Sequence, residues 1–327
     1  MNKVYAVAMR KGGQAKSTTV STLARLCAMQ GARVLVVDLA QPGSATTSFR
    51  DLWPEVDHGD LAHALLALRG VPAGALPAPK ACAEALGARA LPVRLRAQPS
   101  WGGGRIDVLP HDDLIAEAAG YLQSDLIVAG LLRALAGDYD LALLDAPADG
   151  VALLTNALAA TACVLLPLVP EAPALQGADA TLRLLARLRR TGHAVALGGI
   201  LLTRCDPRSK RAGEVVRTLT QSGEVEGEVL HRKLFPFAVR LSEYYEQAFR
   251  QGVAVWDRVE DAAHWSGYAL LAEWLLRDAG LPQMAETPRL AMRLEPGTRV
   301  LDSLALGLAR PEIEFQAFAE ARNALSL

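Results

Sequence analysis

The sequence predicts an α/β fold, a doubly wound and mostly parallel sheet with helices on both faces. Three observations predict it. Short, continuously apolar runs rich in β-branched residues recur at 3–9, 33–39, 105–109, 141–145, 163–169 and 199–203. Segments of helical period separate those runs, which is the pattern of βαβ units. The runs are apolar throughout rather than alternating, as expected of strands covered on both faces.

Each element follows in order. After the first run, the segment 17–30 places Val20, Leu23, Ala24 and Cys27 on one helical face, and Gly31 supplies a stop. The run 33–39 ends in Asp38 and a glycine turn at Gly43, and the run 141–145 ends in Asp145. Between them, 71–104 is rich in Ala, Pro and Gly, with Trp101 before three glycines, and reads as an irregular excursion. Residues 150–170 carry no charge and are long enough to span a bilayer, but Asn156, two threonines and Pro167 argue for a buried helix followed by a buried strand. One domain over 1–280 is expected, followed by a C-terminal extension over 281–327. That extension contains several prolines and a helix over 311–325, packed on the domain or on a partner.

Composition narrows the function classes. With 51% apolar and 21% charged residues the chain is globular, and 327 residues bury a large core. A net charge of −1 confines any nucleic-acid binding to a local patch. Cys27, Cys82, Cys163 and Cys205 are scattered, without a CxxC pair, so neither a zinc ribbon nor a disulfide framework is expected. A reducing cytoplasm fits, and the apolar run at the N-terminus is too short for a secretory signal.

The chemistry concentrates after the first strand. Arg10, Lys11, Gly12, Gly13, Gln14, Ala15, Lys16, Ser17 and Thr18 lead straight into a helix. Glycines let backbone N–H groups turn inward around phosphate oxygens, and the helix N-terminus adds positive field. In this loop Lys16 would reach the β- and γ-phosphates of a nucleotide and the Ser17 hydroxyl would ligate Mg²⁺. Residues 141–145 end in Asp145, an acid placed to hold Mg²⁺ through water. The pattern GxxxxGK(S/T) is not met, because Arg10 and Ala15 stand at both of its glycine positions.

Together these segments resemble the ParA/MinD family of deviant-Walker ATPases, which are P-loop NTPases. The resemblance runs from residue 3 to about 260. It rests on the loop from Lys11 to Thr18, on DLAQPGSATT from Asp38 to Thr47, on Ile106 to Pro110, on Val169–Glu171 with Ala174–Gly177, and on Val239 to Glu243. It implies ATP and Mg²⁺ as cofactors, with Lys11, Gly12, Gly13, Gln14, Ala15, Lys16, Ser17 and Thr18 holding nucleotide. It implies Ser17, Asp38 and Asp145 around the metal, and Lys11, Lys16 and Asp38 in catalysis. Lys11 matches the signature lysine that crosses an ATP-dependent nucleotide-sandwich homodimer to the partner's phosphate.

Two departures fall on this chemistry. Ala15 replaces a glycine and adds a Cβ near the phosphates. Ala40 occupies the position of the family's second switch aspartate, which orients the attacking water. Binding with weak hydrolysis is therefore expected, since a missing general base costs roughly 10²- to 10⁴-fold. Ala40 is an engineered ATP trap, a natural feature of a slow branch, or a loss covered by Asp38 or Asp149.

Nine basic residues lie between Arg183 and Arg217, opposed only by Asp206 and Glu214. Such an excess on a neutral chain is a footprint for phosphate backbones. The resemblance adds Arg208, Lys210, Arg211 and Arg240 as contacts to non-specific DNA, and a ParB-like protein as the partner that stimulates release. The expected function is that of a partition ATPase, cytoplasmic and nucleoid-associated, that segregates a plasmid or chromosome or positions another cargo. The acidic segment 311–322 does not suit an anionic membrane, so no membrane partner is expected. Alternatives are a non-hydrolysing ATP-gated dimeric scaffold, a MinD-like spatial regulator, and the iron–sulfur reductase branch, which the scattered cysteines do not support.

Overall fold

The structure is a computed structural model that describes residues 1, 3–54, 61–87, 91–206 and 208–285. Its sheet has eight strands: β1 (Lys3–Val7), β2 (Arg33–Asp38), β3 (Val93–Arg94), β4 (Arg105–Leu109), β5 (Leu141–Asp145), β6 (Cys163–Leu168), β7 (Ala196–Cys205) and β8 (Leu234–Arg240). Their spatial order is β8–β7–β6–β1–β5–β2–β4–β3. Every neighbouring pair is parallel except β3–β4.

Alternation along the strands builds two cores. On β1 and β2, Ala6, Leu35 and Val37 point to one face, and Tyr5, Val7, Val34 and Val36 to the other. The first face is covered by helices α2 (Leu61–Ala67), α3 (Pro79–Leu86), α4 (Ile115–Gly120), α5 (Ile127–Ala134), α6 (Val151–Ala159), α7 (Ala172–Arg190) and α8 (Lys210–Gln221). The second is covered by α1 (Lys16–Met29), α9 (Tyr244–Gln251) and α10 (Ser266–Asp278). Helix α1 is buried along most of its length, Val20, Leu23 and Leu26 included, and each such side chain contributes about 1.5–3 kcal/mol. This is the doubly wound fold that the strand runs predict.

The differences are local. The excursion 71–104 holds α3 and β3, an antiparallel edge strand too short to show as a periodic run. Strand β8 escapes a sequence reading because Pro236 interrupts it and basic residues precede it; at a sheet edge a missing N–H is tolerated. Strand β7 extends beyond 199–203 at both ends. The uncharged stretch 150–170 is α6 followed by β6, and among the described residues no helix is long and apolar enough to cross a membrane. The helix expected over 311–325 lies outside the described residues.

Candidate functional site

The carboxyl ends of β1, β2 and β5 are in register, with Asp38 opposite Asp145 and Val7 opposite it on the other side. Ligands of open parallel sheets sit beyond such ends. There the chain after β1 forms a loop over residues 10–15 and enters α1 at Lys16.

Side chains brace this loop from behind. The buried Gln14 accepts a bond from the Val169 backbone N–H at 2.8 Å, and its carbonyl accepts one from Thr203 Oγ1 at 3.2 Å. The Arg10 N–H donates to Thr181 Oγ1 at 3.0 Å. Helix α7 approaches so closely that a Cβ on Gly177 would sit 2.9 Å from Lys11 Cβ. The front of the loop is open: a Cβ on Gly12 or Gly13 would meet nothing within 4 Å. The loop is thus held at the back and vacant at the front, as a phosphate cradle requires.

Ala15 is the N-cap of α1, with φ 62° and ψ 29°, in the left-handed region. That is why glycine suits the position. The Ala15 methyl costs backbone strain of about 1–2 kcal/mol, beyond the added bulk near the phosphates.

Lys16 lies buried at the base, its Nζ 3.5 Å from the Lys11 carbonyl. Burial pulls its pKa down, and the nearby Asp145 and Asp149 partly restore it. Lys11 reaches outward, with Nζ 4.0 Å from the exposed Glu171 carboxylate.

The two acids differ in their surroundings. Asp38 accepts from the Ala40 N–H at 3.2 Å, and from the Thr46 N–H and hydroxyl at 2.7 and 2.8 Å. Asp145 is fully buried, and neither of its carboxylate oxygens has a hydrogen-bond partner. Burial first, and then Asp38, push its pKa up to about 8. The Ser17 hydroxyl and Lys16 act in the opposite direction, although Ser17 makes no bond of standard geometry. A buried carboxylate with all its lone pairs unused, beside a serine hydroxyl and a lysine, suits a hydrated divalent cation. Ser17 and Asp145 fit that role directly. Asp38 is adjacent, but in this conformation the turn at 40–46 occupies its oxygens. Among the described residues no cluster of three or more His, Cys, Asp or Glu is placed to hold a metal ion.

The space above is a cavity of about 950 Å³. Residues 12–18 form one wall, Ala40 and Pro42 a second, and residues 239–256 a third. Arg204, Arg240 and Tyr245 line it as well. Sequence reasoning assigned no role to Arg204 and Tyr245 here, because nothing in their spacing ties them to the loop. Arg240 lies on the cavity wall, whereas Arg208, Lys210 and Arg211 are exposed at the start of α8.

The basic footprint is partly neutralised. Arg183 pairs with Asp179, Arg189 with Glu228 and Arg190 with Glu226. The 208–211 group forms no ion pair among the described residues. The cysteines are all free and buried.

The comparisons agree with this geometry. The CobQ/CobB/MinD/ParA nucleotide binding domain matches residues 5–248. The chromosome-partitioning ATPase Soj of Thermus thermophilus is 33% identical, over 82% of this chain and 93% of its own length. An Asp-to-Ala variant of Cyanothece McdA, solved in complex with ATP, superposes with a TM-score of 0.60 at 18% identity, covering 93% of this chain and 96% of that one. Cobyrinic acid a,c-diamide synthase of Mycobacterium smegmatis, with bound ADP and magnesium, gives a TM-score of 0.55 at 26% identity over 84% and 96% of the two chains. Loop, sheet order and sequence matches concur, and the chain belongs to the CobQ/CobB/MinD/ParA nucleotide-binding family.

Proposed function

We propose that this chain is a ParA-like ATPase that binds ATP·Mg²⁺ and, as a nucleotide-sandwich homodimer, binds DNA non-specifically to partition or position a cargo. The observation that carries the nucleotide is Asp145, its two buried oxygens without a partner at the foot of a loop open in front. Gly12, Gly13 and the first turn of α1 present backbone N–H groups to phosphates, and Lys16 adds a buried positive charge. Ser17 and Asp145 would hold Mg²⁺, which screens phosphate charge when bound. Lys11 is half-exposed at the mouth and loosely paired with Glu171, so it is free to reach a second subunit. Release of the dimer from DNA would follow hydrolysis stimulated by a ParB-like partner, as the similarity to Soj supports.

Hydrolysis is slow in this reading. Ala40 lines the cavity with a methyl group, and the neighbouring acid Asp38 has its oxygens engaged by the turn. The same observation favours a second reading, an ATP-gated dimeric scaffold that does not turn over.

The test is solution mass by light scattering in ATP·Mg²⁺ and in ADP·Mg²⁺. A dimer in ATP and a monomer in ADP supports the nucleotide switch. One mass in both states removes it.

A further inference from the structure

Arg25 is a buried charge that no part of the loop chemistry explains. It lies on α1, two turns beyond the phosphate loop, and is 5% exposed. Its Nη2 donates to the Ser48 carbonyl at 2.9 Å, to Asp51 Oδ1 at 2.9 Å and to the Gly252 carbonyl at 2.8 Å. Its guanidinium lies 5.1 Å from the centre of the Phe49 ring. One nitrogen with two hydrogens thus serves three acceptors, so at least one hydrogen is shared.

Those acceptors belong to two separate segments. Ser48 is the C-cap of the short helix Ser44–Thr47, and Gly252 is the C-cap of α9. Carbonyls at helix C-termini lack intrahelical partners and carry partial negative charge, so one cation serves both ends. The segments also touch: a Cβ on Gly252 would lie 2.8 Å from Arg50 Cβ. The first segment carries Thr46, which holds Asp38. The second continues into Val253, Ala254 and Trp256, which line the cavity. Arg25 and Ser48 themselves lie on its floor.

We infer that Arg25 is a positioning residue that locks the turn at 40–52 to the cavity wall at 244–256, so that nucleotide affinity depends on the two moving as one. The inference rests on the nucleotide-binding reading and specifies how that site is regulated. From Asp38 to Thr46 by hydrogen bond, along the backbone from Thr46 to Ser48, and from Ser48 through Arg25 to Gly252 by hydrogen bond, a connected path joins the metal side of the cavity to its far wall. Removing the guanidinium leaves two helix-end carbonyls and Asp51 without their donor, and lets the wall shift independently of the turn.

The experiment measures affinity for fluorescent ATP and ADP analogues, with Mg²⁺, well below the unfolding midpoints. It compares wild type, Arg25→Met, Arg25→Lys and Leu276→Ala, the last a core deletion on α10 that serves as a stability control. Arg25→Met is expected to bind about tenfold more weakly, while Leu276→Ala binds as wild type does. Hydrogen exchange should show nucleotide protecting both 40–52 and 244–256 in wild type, but not both in Arg25→Met. Arg25→Lys, which keeps the charge, should recover part of the affinity, and it decides the matter if Arg25→Met does not fold. Wild-type affinity in Arg25→Met, or equal weakening in Leu276→Ala, overturns the positioning role while the nucleotide reading stands. No binding by wild type overturns both.

Discussion

Asp38 and Asp145 stand side by side on adjacent parallel strands, in register and fully buried, yet only Asp38 is satisfied by the chain. The turn from Ala40 to Thr46 supplies its donors, whereas neither Asp145 oxygen meets a donor. One acid holds the turn.

That asymmetry predicts a pH dependence for the metal-free protein. The Asp145 carboxyl is raised from 3.8 to about 8, so between those values the native state binds a proton that the unfolded state has lost. Stability from this group is therefore full below pH 4 and is lost as pH rises toward 8. Asp145→Asn, neutral throughout, should melt higher than wild type at pH 8.5. Its advantage at pH 5 should be about a third as large, since only about one of the roughly four pH units separating the two pKa values has been crossed by pH 5. Asp38 remains in the variant with its own raised pKa, so the flattening is partial. A wild-type midpoint that rises from pH 5 to 8.5 relative to Asp145→Asn would contradict the sign. Mg²⁺ with nucleotide should shrink the difference.

Ala15→Gly should stabilise the protein although it removes atoms. The left-handed φ of 62° costs alanine about 1–2 kcal/mol, and the extra unfolded-state freedom of glycine returns about 0.5–1 kcal/mol of that. A net gain of about 0.5–1 kcal/mol should appear as a higher urea midpoint with unchanged slope. Ala15→Val, β-branched at the same φ, should lose stability. If both variants lose stability, the strain assigned to the loop is absent.

Ala40→Asp should restore turnover. Position 40 is 6% exposed on the cavity wall, and a carboxylate there reaches water in the space above Asp38 and Lys16. Phosphate release in ATP·Mg²⁺ should rise by about 10²- to 10⁴-fold, with affinity for ATP nearly unchanged. An unaltered rate would favour the scaffold reading over the ATPase.

How much of this was legible in the sequence depends on chain distance. Lys16, Ser17 and Asp145 were readable because each belongs to a contiguous run with its own strand or helix signal. Arg25 was not, since its partners are 23, 26 and 227 residues away and meet only when the sheet closes. Strand β8 was hidden by Pro236, whose cost vanishes at an edge. Ala15 was legible as a substitution, but its strain was not, because φ is set by the loop's closure. The resemblance implies a DNA contact for Arg240, whereas β8 places it on the cavity wall, which no residue spacing reveals.

The basic residues yield a prediction that separates these positions. Arg208, Lys210 and Arg211 are exposed and their side chains form no ion pair among the described residues, whereas Arg183 and Arg190 are each paired with an acid. Replacing the first three with alanine should weaken binding to duplex DNA of any sequence and lower the slope of log K against log salt by roughly 2 to 3, since each phosphate contact contributes about 0.9. Replacing Arg183 and Arg190 should change that slope far less, because their charge is already offset at 2.9 and 3.9 Å. Arg240→Ala should act elsewhere: it removes a cation from the nucleotide cavity, so its first effect should be on ATP affinity, with DNA binding falling only as the ATP-bound population falls. Fluorescence anisotropy at saturating ATP distinguishes the two. If Arg240→Ala lowers the salt slope under saturation as the 208–211 variant does, Arg240 contacts DNA directly and its place on the cavity wall is incidental.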